Sequence, residues 1–205
     1  MTNFLQGIDV SHYDGNIAWA SVAGDSCAPQ FAYLKATEGD TMVDSQYSAN
    51  RAGATAAGLL QGAYHFFVSG APVADQVANF CKTVGSVQGQ LPPILDVEQG
   101  GLSQPDYAAA VMQWLQQTGE KLGCTPGIYT TASFWESNLG SFAPFLAYPL
   151  WIAEYTSEPS PHVPQGASYT FWQYSSTGVV SGISGSVDMN RYAGSPAQLK
   201  ALLCA

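Results

Sequence analysis

Basic residues are what this sequence most lacks. Six Lys and Arg stand against fifteen Asp and Glu in 205 residues, and the formal net charge is −9. Nucleic acid is excluded as a partner, because phosphate binding needs clustered Lys and Arg, and six scattered ones form no stripe. Charge of either sign is sparse, at 10% of residues. An anionic substrate attracts such a chain less than a basic one, and the repulsion fades as carboxylates protonate, which predicts an acidic pH optimum. No apolar run approaches the roughly 18–20 residues of a membrane-spanning helix, so no membrane partner is expected. Met1-Thr2-Asn3-Phe4 lacks the basic and apolar regions of a signal peptide. If the chain is exported, the expectation is that it is the mature, extracellular form.

Other absences concern chemistry. The cysteines, Cys27, Cys81, Cys124 and Cys204, form no C-x-x-C pair, so finger-type zinc spacing is missing and no metal or other cofactor is expected. Two disulfides suit an extracellular chain, and Cys27–Cys204 with Cys81–Cys124 is the expected pairing, since those positions flank helices expected to be neighbours. No Gly-x-Ser-x-Gly elbow occurs, and no Cys sits at an expected strand end near a His. Nucleophilic serine or cysteine chemistry is therefore not indicated.

What is present is an alternation. Phe4–Val10, Phe31–Ala36, Leu60–Phe67, Pro93–Val97 and Thr125–Thr130 read as buried strands. Helical stretches lie between them: Ser45–Ala57 with Asp44 as N-cap, Ala71–Val84, and Pro105–Leu122 ending at Gly123. Such alternation implies parallel strands with right-handed crossovers. Beyond about position 130 the rhythm changes. Leu150–Ala153, Tyr169–Tyr174 and Ser186–Met189 read as strands, but Pro159, Pro161 and Pro164 leave no room for a helix between the first two. A last helix spans Pro196–Leu203. Eight strands suggest a closed, TIM-like barrel with its later helices lost. The competing open doubly wound sheet would carry a Gly-rich loop after its first strand, and Asp9-Val10-Ser11-His12 is not one.

Barrel active sites form at the C-terminal strand ends. Here those ends carry Asp9, Lys35, Tyr64 with His65, Asp96 with Glu98, and Asp188. Asp96 and Glu98 point the same way, about 6.5–7 Å apart along a strand. Two such acids after an apolar run are costly unless paired, hydrated or functional. Crowding and burial raise a carboxyl pKa, which suits a general acid; a structural pair or a Mg²⁺ or Ca²⁺ site is the alternative reading of the same pattern. Lys35 is either a rim lysine or a partner of the carboxylates, and His65 is read as a structural hydrogen-bonder. Tyr64, Tyr129, Trp151, Tyr155, Trp172 and Tyr174 also fall near strand ends. Aromatic faces suit pyranose rings, with Gln173 and Asn190 placed to bond hydroxyls or amides.

Seven segments in order resemble the family 25 glycoside hydrolases, the CH-type lysozymes. They are Gly7-Ile8-Asp9-Val10-Ser11, Tyr33-Leu34-Lys35-Ala36-Thr37-Glu38-Gly39, Gly62-Ala63-Tyr64-His65-Phe66, Leu95-Asp96-Val97-Glu98, Leu150-Trp151-Ile152-Ala153, Phe171-Trp172-Gln173-Tyr174 and Gly185-Ser186-Val187-Asp188-Met189-Asn190. The resemblance implies a (β/α)5(β)3 barrel; the expectation is one catalytic domain spanning 1–205, without the separate wall-binding module that the family often carries. It implies hydrolysis of the β-1,4 bond between N-acetylmuramic acid and N-acetylglucosamine in peptidoglycan glycan strands by a secreted monomer. Glu98 matches the general acid, Asp96 its partner, and Asp9 and Asp188 the remaining acids. Tyr64 matches a residue lining the reaction subsite, with Tyr129 and Trp151 as further sugar contacts. Retention by the substrate's own acetamido group, assisted by Asp96, is the favoured route; Asp9 or Asp188 as second carboxylate is the other. A chitinase-like hydrolase, a non-catalytic glycan-binding barrel and a metal-dependent hydrolase are the competing functions.

Overall fold

The computed structural model describes residues 4–141 and 143–205. The reading of Met1–Asn3 as free of a leader falls outside the described residues. Among the described residues, nine strands and six α-helices follow in order: β1 (Leu5–Val10), α1 (Trp19–Ala23), β2 (Phe31–Glu38), β3 (Met42–Val43), α2 (Tyr47–Ala56), β4 (Leu60–Phe66), α3 (Val73–Val84) and β5 (Ile94–Asp96). Then come α4 (Gln104–Leu122), β6 (Gly127–Thr130), α5 (Ala132–Asn138), β7 (Leu150–Ala153), β8 (Phe171–Gly178), β9 (Val187–Tyr192) and α6 (Pro196–Ala201).

Eight strands close a ring in the order β1-β2-β4-β5-β6-β7-β8-β9, with β9 returning to β1 and β3 only annexed to the edge of β2. This is the expected single-domain barrel, and its closure rules out the open doubly wound sheet. Neighbours from β1 round to β8 run parallel, whereas β9 is antiparallel to both β8 and β1. Helices follow each parallel strand through β6, and residues 154–170, with their prolines, contain none. Two short helices, α1 and α5, were not legible as periodic stretches. α5 starts on Thr131, whose hydroxyl accepts from Phe134 N, and α1 has no side-chain cap. α4 ends as expected at left-handed Gly123, and its N-cap is Ser103. The α2 cap is corrected: it is Gln46, because Asp44 instead accepts from Gln46 N, His12 N and His12 Nδ1.

Period-two alternation divides the apolar residues into two layers. Ile8, Leu34, Leu95, Ile128 and Ile152 face outward against Phe80, Val111 and Trp114 of the helices. Leu5, Phe31, Tyr33, Ile94, Trp151 and Phe171 fill the lower barrel interior, with Leu199 of α6 in the same cluster. Glycine makes that filling possible. A Cβ on Gly7 would lie 2.4 Å from the Phe31 ring, and one on Gly62 would lie 2.3 Å from Cε1 of Tyr33.

The disulfide expectation is corrected. Cys124 bonds to Cys204 across 80 residues, while Cys27 and Cys81 are free. The chain end docks under the barrel, where Cys204 N donates to Gln90 O and Cys204 O accepts from Gly89 N. That brings Cys204 to the residue just after the α4 cap. Cys81, although α3 and α4 are neighbours, lies beside Thr118 instead. Trp172 and Tyr174 are also corrected: they lie on the outer face, where no helix covers the sheet, with the Arg191 guanidinium 4.9 Å and 3.9 Å from their ring centroids.

Candidate active site

The upper barrel interior opens as a cavity of about 240 Å³, lined among others by Asp9, Lys35, Tyr64, Asp96, Glu98, Tyr129, Trp151, Gln173 and Asp188. Nine of the eleven site residues read from the sequence thus meet around one space. Asp188 reaches it by a different route from that expected. It stands near the start of antiparallel β9, not at the end of a parallel strand, and that start lies at the same rim; its register partner is Asp9.

Lys35 owes its partner to a bulge. The β2–β4 register runs Lys35↔Tyr64 and then Thr37↔His65, skipping Ala36. An extra residue of this kind reverses the alternation beyond it. Glu38, three positions on, therefore turns to the same side as Lys35, and Lys35 Nζ donates to Glu38 Oε2 at 2.6 Å. The ammonium also lies 4.9 Å from the centroid of the Phe66 ring. Thr37 and His65 face the helices. Gln76 Nε2 donates to the carbonyls of Val68 and Ala71, so its Oε1 accepts and His65 Nε2 carries the proton. Nδ1 of His65 then accepts from Thr37 at 2.7 Å. Burial lowers the His65 pKa to about 4, consistent with this neutral tautomer and with the structural reading.

Around Asp9 the polar side chains form one directed network. Gln173 Nε2 and Asn190 Nδ2 donate to Asp9 Oδ2 at 3.0 and 2.7 Å. Behind them, Tyr129 and Tyr155 hydroxyls donate to Gln173 Oε1, and Trp151 Nε1 donates to Asn190 Oδ1. Asn190 is wholly buried and holds Asp9 from behind, outside the cavity lining. Tyr155 lines an adjoining hollow, together with Glu98, Tyr129, Thr131 and Glu154.

Four carboxyls in one cavity cannot all ionise cheaply. Burial, and then the charge of Asp188, push Asp9 up to about 8. Burial raises Asp188 to about 6, with Asp14 and Glu98 adding to it. Asp96 is held well above the usual range by burial, then by Glu98 and Asp9, with Lys35 opposing. Glu98 stands exposed at the mouth, yet the protein around its carboxyl raises its pKa too, again against Lys35. Asp96 Oδ1 is buried without a hydrogen-bond partner. Among the described residues, no group of three or more His, Cys, Asp or Glu side chains is disposed to hold a metal ion.

Sequence reading missed Ser11, Tyr13 and Phe66 in the lining, and Glu38. Period-two parity from Lys35 places Glu38 on the wrong face, so only the bulge reveals it. Tyr13 lies beyond β1 in a single 3-10 turn (His12–Asp14), where periodicity carries no information.

Comparison with known proteins agrees with this geometry. The family model described as glycosyl hydrolases family 25 matches residues 8–183. Lysozyme M1 of Streptomyces globisporus is 39% identical over 214 residues, covering 98% of this chain and 72% of that protein. The uncharacterized protein YegX of Escherichia coli O157:H7 is 38% identical over 203 residues, covering 97% and 73%. The crystal structure of the bacterial lysozyme from Streptomyces coelicolor superposes with a TM-score of 0.93 at 39% identity, over 99% of this chain and 98% of that one. With the family model matched along most of its length and the same barrel shared from end to end, the chain belongs to glycosyl hydrolase family 25.

Proposed function

We propose that the chain is a muramidase that hydrolyses the β-1,4 bond between N-acetylmuramic acid and N-acetylglucosamine of peptidoglycan, with Glu98 as general acid. The observation that carries this reading is the pairing of an exposed Glu98 with a buried Asp96 behind it, both with raised pKa values, in one cavity. Its resemblance to proteins named lysozyme supports the bond and the polymer.

Protonated Glu98 donates its proton to the glycosidic oxygen, and the C1–O bond breaks with its electron pair going to that oxygen. The carbonyl oxygen of the same sugar's 2-acetamido group bonds to C1, closing an oxazolinium ring. Water then attacks C1 from the opposite face, giving its proton to the Glu98 carboxylate, and the ring reopens. Two inversions give net retention. Asp96 Oδ1 would accept from the acetamido N–H. In the free enzyme this oxygen has no donor and Asp96 competes for the proton. A donated hydrogen bond favours the ionised form, so substrate binding would move the shared proton to Glu98, where it is needed. Asp9 suits the nucleophile role poorly, because Oδ2 already accepts from Gln173 and Asn190 and the carboxyl holds its proton up to about 8.

The barrel would carry this activity as one catalytic domain and a monomer, in an oxidising, extracellular setting that the Cys124–Cys204 bond favours. Glu98→Gln is expected to lower wall lysis at least roughly a thousandfold while leaving Tm unchanged; undiminished lysis removes Glu98 from the role. Proton NMR of the first-formed reducing sugar should show the β-anomer, and an α-anomer rules out acetamido participation. Release of reducing sugar from chitin but not from peptidoglycan would favour the chitinase-like alternative.

A further inference from the structure

Tyr13 is the most exposed large apolar side chain described, at 85%, and it nevertheless lines the cavity that holds the four acids. An aromatic ring left in water at the edge of an active site forgoes burial that folding would otherwise favour. Its turn is also fixed. Tyr13 N donates to Ser11 Oγ and Ser11 N donates to Asp14 Oδ2, a reciprocal cap on the single turn. Beneath the ring, His12 packs at a centroid distance of 4.1 Å, and His12 is itself bonded through N and Nδ1 to the buried Asp44 carboxylate. The ring is exposed but set on a rigid base, which is how a preorganised binding surface limits the entropy lost on ligand capture.

Position in the ring of strands gives this surface a direction. Tyr13 follows β1, and β6, which carries Tyr129, is the strand diametrically opposed in the eight-strand order. Glu98 borders both the deep cavity and the hollow above β6 and β7. If Glu98 protonates the glycosidic oxygen, the scissile bond lies at that border. The reacting sugar then occupies the deep cavity over Asp96, and the leaving sugar lies over the β6–β7 hollow. The next ring on the non-reducing side falls toward β1.

We propose that Tyr13 is a stacking platform for the N-acetylglucosamine ring that precedes the reacting muramic acid, so that the glycan crosses the barrel mouth from the β1 rim to the β6–β7 rim with its reducing end over the latter. This deepens the muramidase reading and rests on it. The β-pyranose of N-acetylglucosamine offers an unbroken C–H face free of the lactyl group, which suits an exposed phenol ring.

The test is calorimetric titration in the Glu98→Gln background, with a tetrasaccharide of alternating N-acetylglucosamine and N-acetylmuramic acid that begins with N-acetylglucosamine, and with the disaccharide N-acetylmuramyl-N-acetylglucosamine, which spans the scissile bond but lacks the preceding ring. Tyr13→Ala should weaken tetrasaccharide binding about three- to tenfold and Tyr13→Trp should restore it, with disaccharide binding and Tm unchanged. Equal tetrasaccharide affinity in Tyr13→Ala, or an equal loss on the disaccharide, overturns the platform. No tetrasaccharide binding by the Glu98→Gln parent overturns it as well. Cleavage of peptidoglycan by the unsubstituted enzyme, measured alongside, would in each case leave the muramidase reading standing, so the two readings fail separately.

Discussion

Along β2, Phe31 and Tyr33 point into the barrel below, and Lys35 points into it above. The same strands thus build two interiors. The lower one is closed by packed, mutually tilted rings, with Tyr33 and Trp151 centroids 4.8 Å apart and Phe31 and Phe171 5.3 Å apart. The upper one holds carboxyls whose raised pKa values report a cost of burial. Apolar contact stabilises the first half, and function explains the second, since acids crowded together weaken the fold they sit in. Trp151 joins the halves: its ring belongs to the lower cluster and its Nε1 orients Asn190 beneath Asp9. The lower packing thereby sets the geometry of the upper site.

If the halves are divided in this way, substitutions should separate activity from stability. After Glu98→Gln, the largest effect is expected for Asp96→Asn. Activity on peptidoglycan should fall roughly a hundred- to thousandfold, while Tm rises or holds, because a crowded buried acid has been made neutral. A fall in Tm with activity retained would reverse the assignment. Next is the staple below. In a chain-entropy account, a bond closing an 80-residue loop contributes at most about 4.5 kcal/mol. Cys124→Ser should therefore lower denaturant stability by up to that amount, with kcat per folded molecule unchanged below the transition.

Gly62→Ala should cost about 1–3 kcal/mol, since the new methyl would meet the Tyr33 ring at 2.3 Å. Chemical denaturation measures the loss, and the pH profile of activity should not move. The effect of Asp9→Asn on stability depends on pH. The folded chain holds a proton on Asp9 up to about 8, whereas the unfolded chain releases it near 4. Folded molecules therefore bind more protons in that window, and stability declines as pH rises through it. Asparagine can still accept from Gln173 and Asn190, so the variant should be clearly more stable than the unsubstituted chain at pH 8 and nearly equal to it at pH 4. An equal gain at both pH values would show that Asp9 carries no raised pKa.

Much of the upper half was legible in the sequence, because it depends on local parity. Acids at strand ends alternate with apolar neighbours, and the strands from which they project are apolar runs that read plainly. The lower half was less so. Nothing in the order of residues shows that Phe31 fills the space left by Gly7, a neighbour only across β1 and β2. The cysteine pairing failed for the same reason: Cys204 meets Cys124 because the chain end docks on Gln90, a long-range contact. Within the site, Glu38 was hidden by a bulge that reverses parity, whereas Asp188 was legible as a site acid and only the antiparallel direction of β9 that delivers it was not. Asn190 has the parity of a site residue, but burial makes it a support for Asp9.

The most direct test of the whole account is mass spectrometry of borohydride-reduced peptidoglycan digests, run side by side for the unsubstituted enzyme and Glu98→Gln. The account predicts fragments ending in reduced muramic acid from the first and no new ends from the second. Ends in reduced N-acetylglucosamine, or an equal digest from Glu98→Gln, would contradict it.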